Sequence, residues 1–203
     1  MLTQLLLFGA FVAVMILLSV NYNRRTRICF IIDSSFQCET HEMDFFTMLK
    51  WKLREEHLFD KLELYQPTTQ YKNIFDVIYS FDEDIAKNKP KYIVFMLGIQ
   101  DILQENKIEE FSLQFENICN KLTHLQTKIC ICNIPAVSDN ESTQELIDNY
   151  NNYFNQFKTK SEFITINLKK SMLINISDKM PHISSAESSI ISETIWNTIR
   201  KIS

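Results

Sequence analysis

A chain of 203 residues, 45% of them hydrophobic, is long enough to bury one substantial core and short for two. Its formal net charge of -4 lacks the strongly basic character that nucleic acid demands, so nucleic acid is set aside as a partner. Only Gly9 and Gly98 are glycine, which excludes the glycine-rich phosphate loops of nucleotide binders. The five cysteines, Cys29, Cys38, Cys119, Cys130 and Cys132, lack CxxC spacing, so no metal site, cofactor or disulfide framework is expected.

From Met1 to Val20 no residue is charged, and Leu5 to Leu18 is apolar without a break. That is about the ~20 residues a helix needs to cross the hydrocarbon layer. A transmembrane signal-anchor helix is therefore expected over residues 1–21, ahead of a domain over 26–203. The rival is a cleaved signal peptide, but the basic n-region and the small-residue cleavage site it needs are missing. The expected location is a membrane, with a single pass. Its sidedness is contested: Arg24, Arg25 and Arg27 place the domain on the cytoplasmic side by the positive-inside rule. The sequons at Asn140 and Asn175 matter only in a secretory lumen.

Beyond the anchor, short apolar runs alternate with longer amphipathic ones. Strands are expected at Arg27–Ile32, Leu62–Tyr65, Tyr92–Leu97, Lys128–Ile134 and Phe163–Leu168, each apolar and bounded by polar residues. Helices are expected at Thr40–Phe59, Asn73–Lys87, Ile108–Leu125, Ser142–Lys158 and Ser185–Ile202. In the third of these, Phe111, Phe115, Ile118 and Leu122 recur at helical spacing as a core stripe. Such alternation predicts an α/β fold: a flavodoxin-like three-layer α/β/α sandwich around a mainly parallel five-stranded sheet.

Sheets of this kind bind ligands beyond the carboxyl ends of their strands. Asp33-Ser34-Ser35 follows the first strand and Gly98-Ile99-Gln100-Asp101 the third. Asn133-Ile134-Pro135 follows the fourth, and the loop after the fifth ends in Asp178-Lys179-Met180-Pro181-His182. A serine, an imidazole, a carboxylate and an amide on one edge are the parts of acyl-transfer chemistry. The hydroxyl needs a base to take its proton, the base needs an acid to orient it, and the oxyanion needs donors already aimed at it. Gly98 is the one glycine after the anchor and marks a tight turn or a close approach there. His41, His57 and His124 fall in helical stretches away from this edge and read as structural or solvated. Ser34 and Asp33 also suit an ordinary strand-ending turn.

In order and spacing, these motifs resemble the SGNH (GDSL-type) hydrolases over about Thr26 to Ser203. Ile32-Asp33-Ser34 is similar to the Gly-Asp-Ser motif, "LGIQD" to Gly-x-Asn-Asp, and "DKMPHIS" to the Asp-x-x-His that precedes a last helix. The resemblance implies Ser34 as nucleophile, His182 as base and Asp178 as orienting acid. It implies an oxyanion hole from Ser34, Gln100 and an N–H of the "LYQPTTQY" loop, taken at Thr68 with Thr69 as the alternative, with Asp33, Gly98 and Asp101 supporting the loops. Three departures stand out: Gln100 replaces an asparagine, Pro67 has no N–H in a loop without glycine, and Asp178 is four residues before His182 where the pattern has three.

The expected function is thus a membrane-anchored serine esterase acting on a small-molecule or lipid ester; no oligomeric state is indicated. The alternative is a catalytically impaired domain on the same fold that binds or scaffolds. A phospho-receiver with Asp33 as acceptor would need an acidic cluster and a lysine at later strand ends, where strands three and four supply Gln100 and Asn133 instead.

Overall fold

The computed structural model describes residues 25–36, 38, 44–137, 141–168, 172–177 and 180–202, with positions 8, 10–12 and 15 besides. The anchor expected over 1–21 therefore lies almost wholly outside the described residues. Among those described, no helix is long and apolar enough to cross a membrane.

The chain runs β1 (Thr26–Ile32), a 3-10 turn at Ser34–Phe36, α1 (Phe45–Glu55), β2 (Leu62–Tyr65) and α2 (Ile74–Tyr79). It continues as β3 (Tyr92–Met96), α3 (Ile99–Leu103), α4 (Ile108–His124), β4 (Lys128–Cys132), β5 (Ala136–Val137) and α5 (Glu141–Asn155). It closes with β6 (Phe163–Ile166), β7 (Leu173–Ser177), β8 (Met180–His182) and α6 (Ser185–Ile202). The main sheet has the order β2-β1-β3-β4-β6, every pair parallel. Its chain direction reverses between β1 and β3, the point at which doubly wound sheets open a crevice for a ligand.

Why these segments are strands is plain from their burial. All of "YIVFM" in β3 is buried, as is the middle of β1, because helices cover both faces and leave no side for polar alternation. Helices α1 and α6 pack together on one face, and α2, α4 and α5 cover the other. The stripe Phe111, Phe115, Ile118 and Leu122 is wholly enclosed. Around it the rings interlock, with Phe95 and Phe115 centred 5.4 Å apart, Phe111 and Tyr150 4.8 Å, and Phe115 and Phe154 5.5 Å. Cys130 and Cys132 pack as small hydrophobes in β4, where burial pushes the Cys130 thiol up to about 12.

Differences from the expected elements have local causes. The helix expected over Thr40–Phe59 is seen from Phe45, where the Asp44 side chain accepts the Thr47 N–H as an N-cap, and it stops before His57, whose φ is +54°. The one expected over Asn73–Lys87 breaks at Ser80, whose hydroxyl bonds back to the Asp76 carbonyl at 2.7 Å, and continues as a wider turn over Phe81–Ile85. Helix α3 and the small sheet β5-β7-β8 were not expected at all. Five residues of helix and strands of two to five residues are too short for a period to show.

Replacing Phe115 by alanine removes a ring from the centre of the aromatic cluster and should cost about 3–5 kcal/mol of unfolding free energy. Denaturant unfolding measures this; a loss below about 1 kcal/mol would show that the cluster is not the core.

Candidate active site

Asp33 is the first residue beyond β1, and its side chain is wholly buried. Its Oδ1 accepts the Ser35 N–H at 2.9 Å, and its Oδ2 accepts the N–H groups of Ile99 at 3.2 Å and Gln100 at 3.4 Å. One carboxylate thus ties the turn after β1 to the first turn of α3. Burial pushes that carboxyl up to about 6, and the hydrogen bonds from Ser35, Gln100 and Ile99 limit the rise.

The three residues of this motif have different surroundings. Ser35 is fully enclosed, whereas Ser34 is half-buried at the head of the 3-10 turn. The turn packs against α3 on one side and against β8 on the other. Helix α3 carries Gln100, half-buried, and β8 carries His182.

The approach of β8 is set by its ends. Cys38 and Ile183 form a parallel bridge, and Ile183 is fully buried, so the backbone at His182 runs beside the segment that follows Ser34. Immediately afterwards Ser184 and Glu187 form a capping box at the start of α6. The Ser184 N–H donates to Glu187 Oε2 at 2.6 Å, and the Glu187 N–H donates to Ser184 Oγ at 3.3 Å. In the β7–β8 ladder, Asn175 stands opposite His182 and Ser177 opposite Met180. Asp178, expected to orient the base, lies outside the described residues.

Gly98 explains itself. Its φ is +117°, and a Cβ placed there would stand 2.7 Å from Ile134 Cδ1 and 3.2 Å from Tyr150 Cδ1. Both the left-handed turn into α3 and the crowding from the loop after β4 exclude a side chain. Asn151 of α5 holds that loop in place, donating to the Ile134 carbonyl at 2.9 Å and accepting its N–H at 2.8 Å. Asn133 likewise accepts the Leu168 N–H, joining the ends of β4 and β6.

Asp101 is enclosed as completely as Asp33. Its Oδ1 accepts from Asn106 Nδ2 at 3.0 Å and from the Ile74 N–H at 3.3 Å, pinning the start of α2, while Oδ2 is buried without a partner. Burial pushes this carboxyl up to about 7; Asn106 and the Ile74 N–H oppose the rise and the charge of Asp33 adds to it. A cavity of about 310 Å3 opens beside the site, between the end of β1 and the loop after β2. Asp33 and Thr68 line it; Ser34 and Gln100 do not. Thr68 itself is exposed.

This architecture is that of known enzymes. An acetyl xylan esterase, AlAXEase, superposes with a TM-score of 0.73 at 16% identity, covering 85% of this chain and 99% of its own. The acetylxylan esterase Axe2 from Geobacillus stearothermophilus superposes with a TM-score of 0.69 at 13% identity, covering 86% and 94%. LAE5, an α/β hydrolase enzyme from the metagenome of Lake Arreo, Spain, gives 0.67 at 11% identity, covering 85% and 94%. The fold is that of the acetyl xylan esterases. No family model and no curated protein matches the sequence itself. The expected parallel five-stranded sheet is present, and its likeness to these esterases holds over nearly their whole length.

The clamps by Asn151 and Asn133 and the β7–β8 hairpin escaped sequence reading, since nothing in a single asparagine marks its partner. The capping box escaped it too, although "SSAE" ahead of an apolar run is the signal that could have found it.

Two outcomes follow from this geometry. Gly98→Ala should destabilise the fold by about 1–3 kcal/mol, and trimming Ile134 to valine should recover only part of the loss because the backbone strain stays; an unchanged thermal midpoint for Gly98→Ala would contradict the reading. Between about pH 4 and 7 the folded chain keeps the Asp101 proton while the unfolded chain has lost it, so this group's contribution to stability falls as pH rises. Asp101→Asn keeps the Oδ1 acceptor and removes the titration. It should gain on wild type by on the order of 2–4 kcal/mol between pH 5 and 8 in urea unfolding, whereas parallel pH profiles would refute the shift.

Proposed function

We propose that this chain is a membrane-anchored serine esterase, held by residues 1–21, that hydrolyses carboxylic or O-acetyl esters. The observation that carries the reading is the position of Ser34: half-exposed, at the crevice of the sheet, between the helix bearing Gln100 and the strand bearing His182. The shared fold supports it, and two solved Axe2 structures, with a serine or an aspartate changed to alanine, are described as catalytic mutants.

In this mechanism Ser34 Oγ attacks the ester carbonyl as His182 takes its proton, with Asp178 holding the imidazole in the correct tautomer. The tetrahedral oxyanion receives hydrogen bonds from the Ser34 N–H and from the Gln100 amide, with Thr68 N–H as the third donor. Collapse expels the alcohol with the proton from His182, and water then cleaves the acyl-serine by the same path in reverse. Asp33 and Gly98 keep the nucleophile turn and α3 in register, and Asp101 fixes the next loop.

A catalytically impaired binding module is favoured by one observation: the cavity beside the site is bounded by Thr68 and Asp33 rather than by Ser34. A fluorophosphonate probe separates the two readings. It should label wild type and Ser35→Ala but not Ser34→Ala, and His182→Ala should lower turnover of acetyl esters by at least ~10³-fold. Equal labelling of Ser34→Ala, or no turnover of any ester by wild type, would sink the esterase.

A further inference from the structure

In a parallel sheet every strand enters at one edge and leaves at the other, and here basic charge gathers on the edge of entry. The segments leading into β1, β2, β3, β4 and β6, with the last turn of α6, are residues 25–26, 56–61, 86–91, 125–128, 156–162 and 200–202. They hold ten lysines and arginines against three acids. Two of those acids are already engaged, Asp60 with Arg25 at 3.7 Å and Glu56 with Arg200 at 3.5 Å. Lys61, Lys87, Lys89, Lys91, Lys128 and Lys160 are exposed there. On the same edge stand two exposed apolar side chains, Phe59 at 45% and Leu125 at 38%. Among the described residues of the segments leaving the strands, where Ser34 lies, the charges that reach the surface are Asp44, Glu105 and Glu141 against Lys72 and Lys107, with no such basic excess. The net charge of the whole chain conceals this polarity.

We propose that the basic edge seats the domain on an anionic lipid bilayer and holds the Ser34 edge away from it. The inference rests on the anchor proposed above. Lysines and exposed apolar side chains on one edge match an anionic headgroup layer, where each lysine near the surface contributes about a fivefold gain in binding. The tether fixes the orientation. Residues 22–25 span at most about 14 Å, whereas the seven residues of β1 carry the chain about 23 Å from the basic edge to Asp33. Four residues cannot reach around the sheet to bring Ser34 to the surface. The ester therefore comes from the aqueous side: a soluble or surface-borne ester, rather than the acyl chain of a lipid in the anchoring bilayer.

The test is the full chain reconstituted into phosphatidylcholine vesicles with and without phosphatidylserine, probed by a water-soluble amine-acylating reagent with lysine modification read by mass spectrometry. Lys61, Lys87, Lys89, Lys91, Lys128 and Lys160 should be protected at least fivefold more in the anionic bilayer, with the difference lost at high salt. Lys72 and Lys107, exposed on the Ser34 edge, should react equally in both. In the fourfold variant Lys89→Glu, Lys91→Glu, Lys128→Glu and Lys160→Glu, Lys61 and Lys87 should lose their protection while circular dichroism is unchanged. Equal modification in both bilayers, protection of Lys72 and Lys107 instead, or protection by an oligonucleotide but not by the vesicles, would overturn the proposal. Alkaline extraction reads the anchor separately: a chain that resists it yet shows no protection refutes the orientation alone, and a chain that is stripped refutes the anchor beneath it.

Discussion

The buried carboxylate of Asp33 is the constraint on which the candidate site depends. It receives backbone N–H groups from both sides of the crevice, from Ser35 and from Ile99 and Gln100. Without an acceptor at that point, three donors would be enclosed unpaired, at a cost of about 1–3 kcal/mol each. Burial of the charge opposes this gain, and the raised Asp33 carboxyl records the tension between the two. What results is a short rigid link across the sheet's switch point, with Ser34 presented beside it and Gly98 leaving room for the loop after β4.

The second enclosed acid serves a different end. Asp101 braces α2 and the Asn106 loop through one oxygen and leaves the other without a partner, and burial pushes its carboxyl up to about 7. Burial raises both carboxyls, hydrogen bonds from Ser35, Gln100 and Ile99 hold Asp33 down, and the charge of Asp33 adds to the rise at Asp101. Two enclosed acids beyond neighbouring strands thus serve different loops, Asp33 the serine turn and α3, Asp101 the start of α2.

The layered fold was legible in the sequence because apolar runs such as "YIVFM" and "KICIC" have one physical explanation, burial on both faces. Helix α4 was legible through Phe111, Phe115, Ile118 and Leu122, and α6 through its length. The site was legible as an edge, since topology alone brings the ends of β1 and β3 together. What stayed hidden depends on pairings between distant single residues: Asn151 with Ile134, Asn133 with Leu168, and Cys38 with Ile183. Such pairs leave no periodic trace. Nor could the sequence separate Ser34 from Ser35 by accessibility, a difference that appears only once the turn has wound.

The strand order also bears on how the chain comes to be folded as it is made. Strand β1 is synthesised first and ends in the interior of the sheet, between β2 and β3. Until Met96 has emerged, the apolar "ICFII" segment has one unsatisfied flank, and its ladder of N–H and C=O groups is open to any other chain nearby. The serine turn beside it waits longer still, because β8 and α6 arrive last. A chain stalled before β3 therefore exposes its most apolar strand while it still has no site to use.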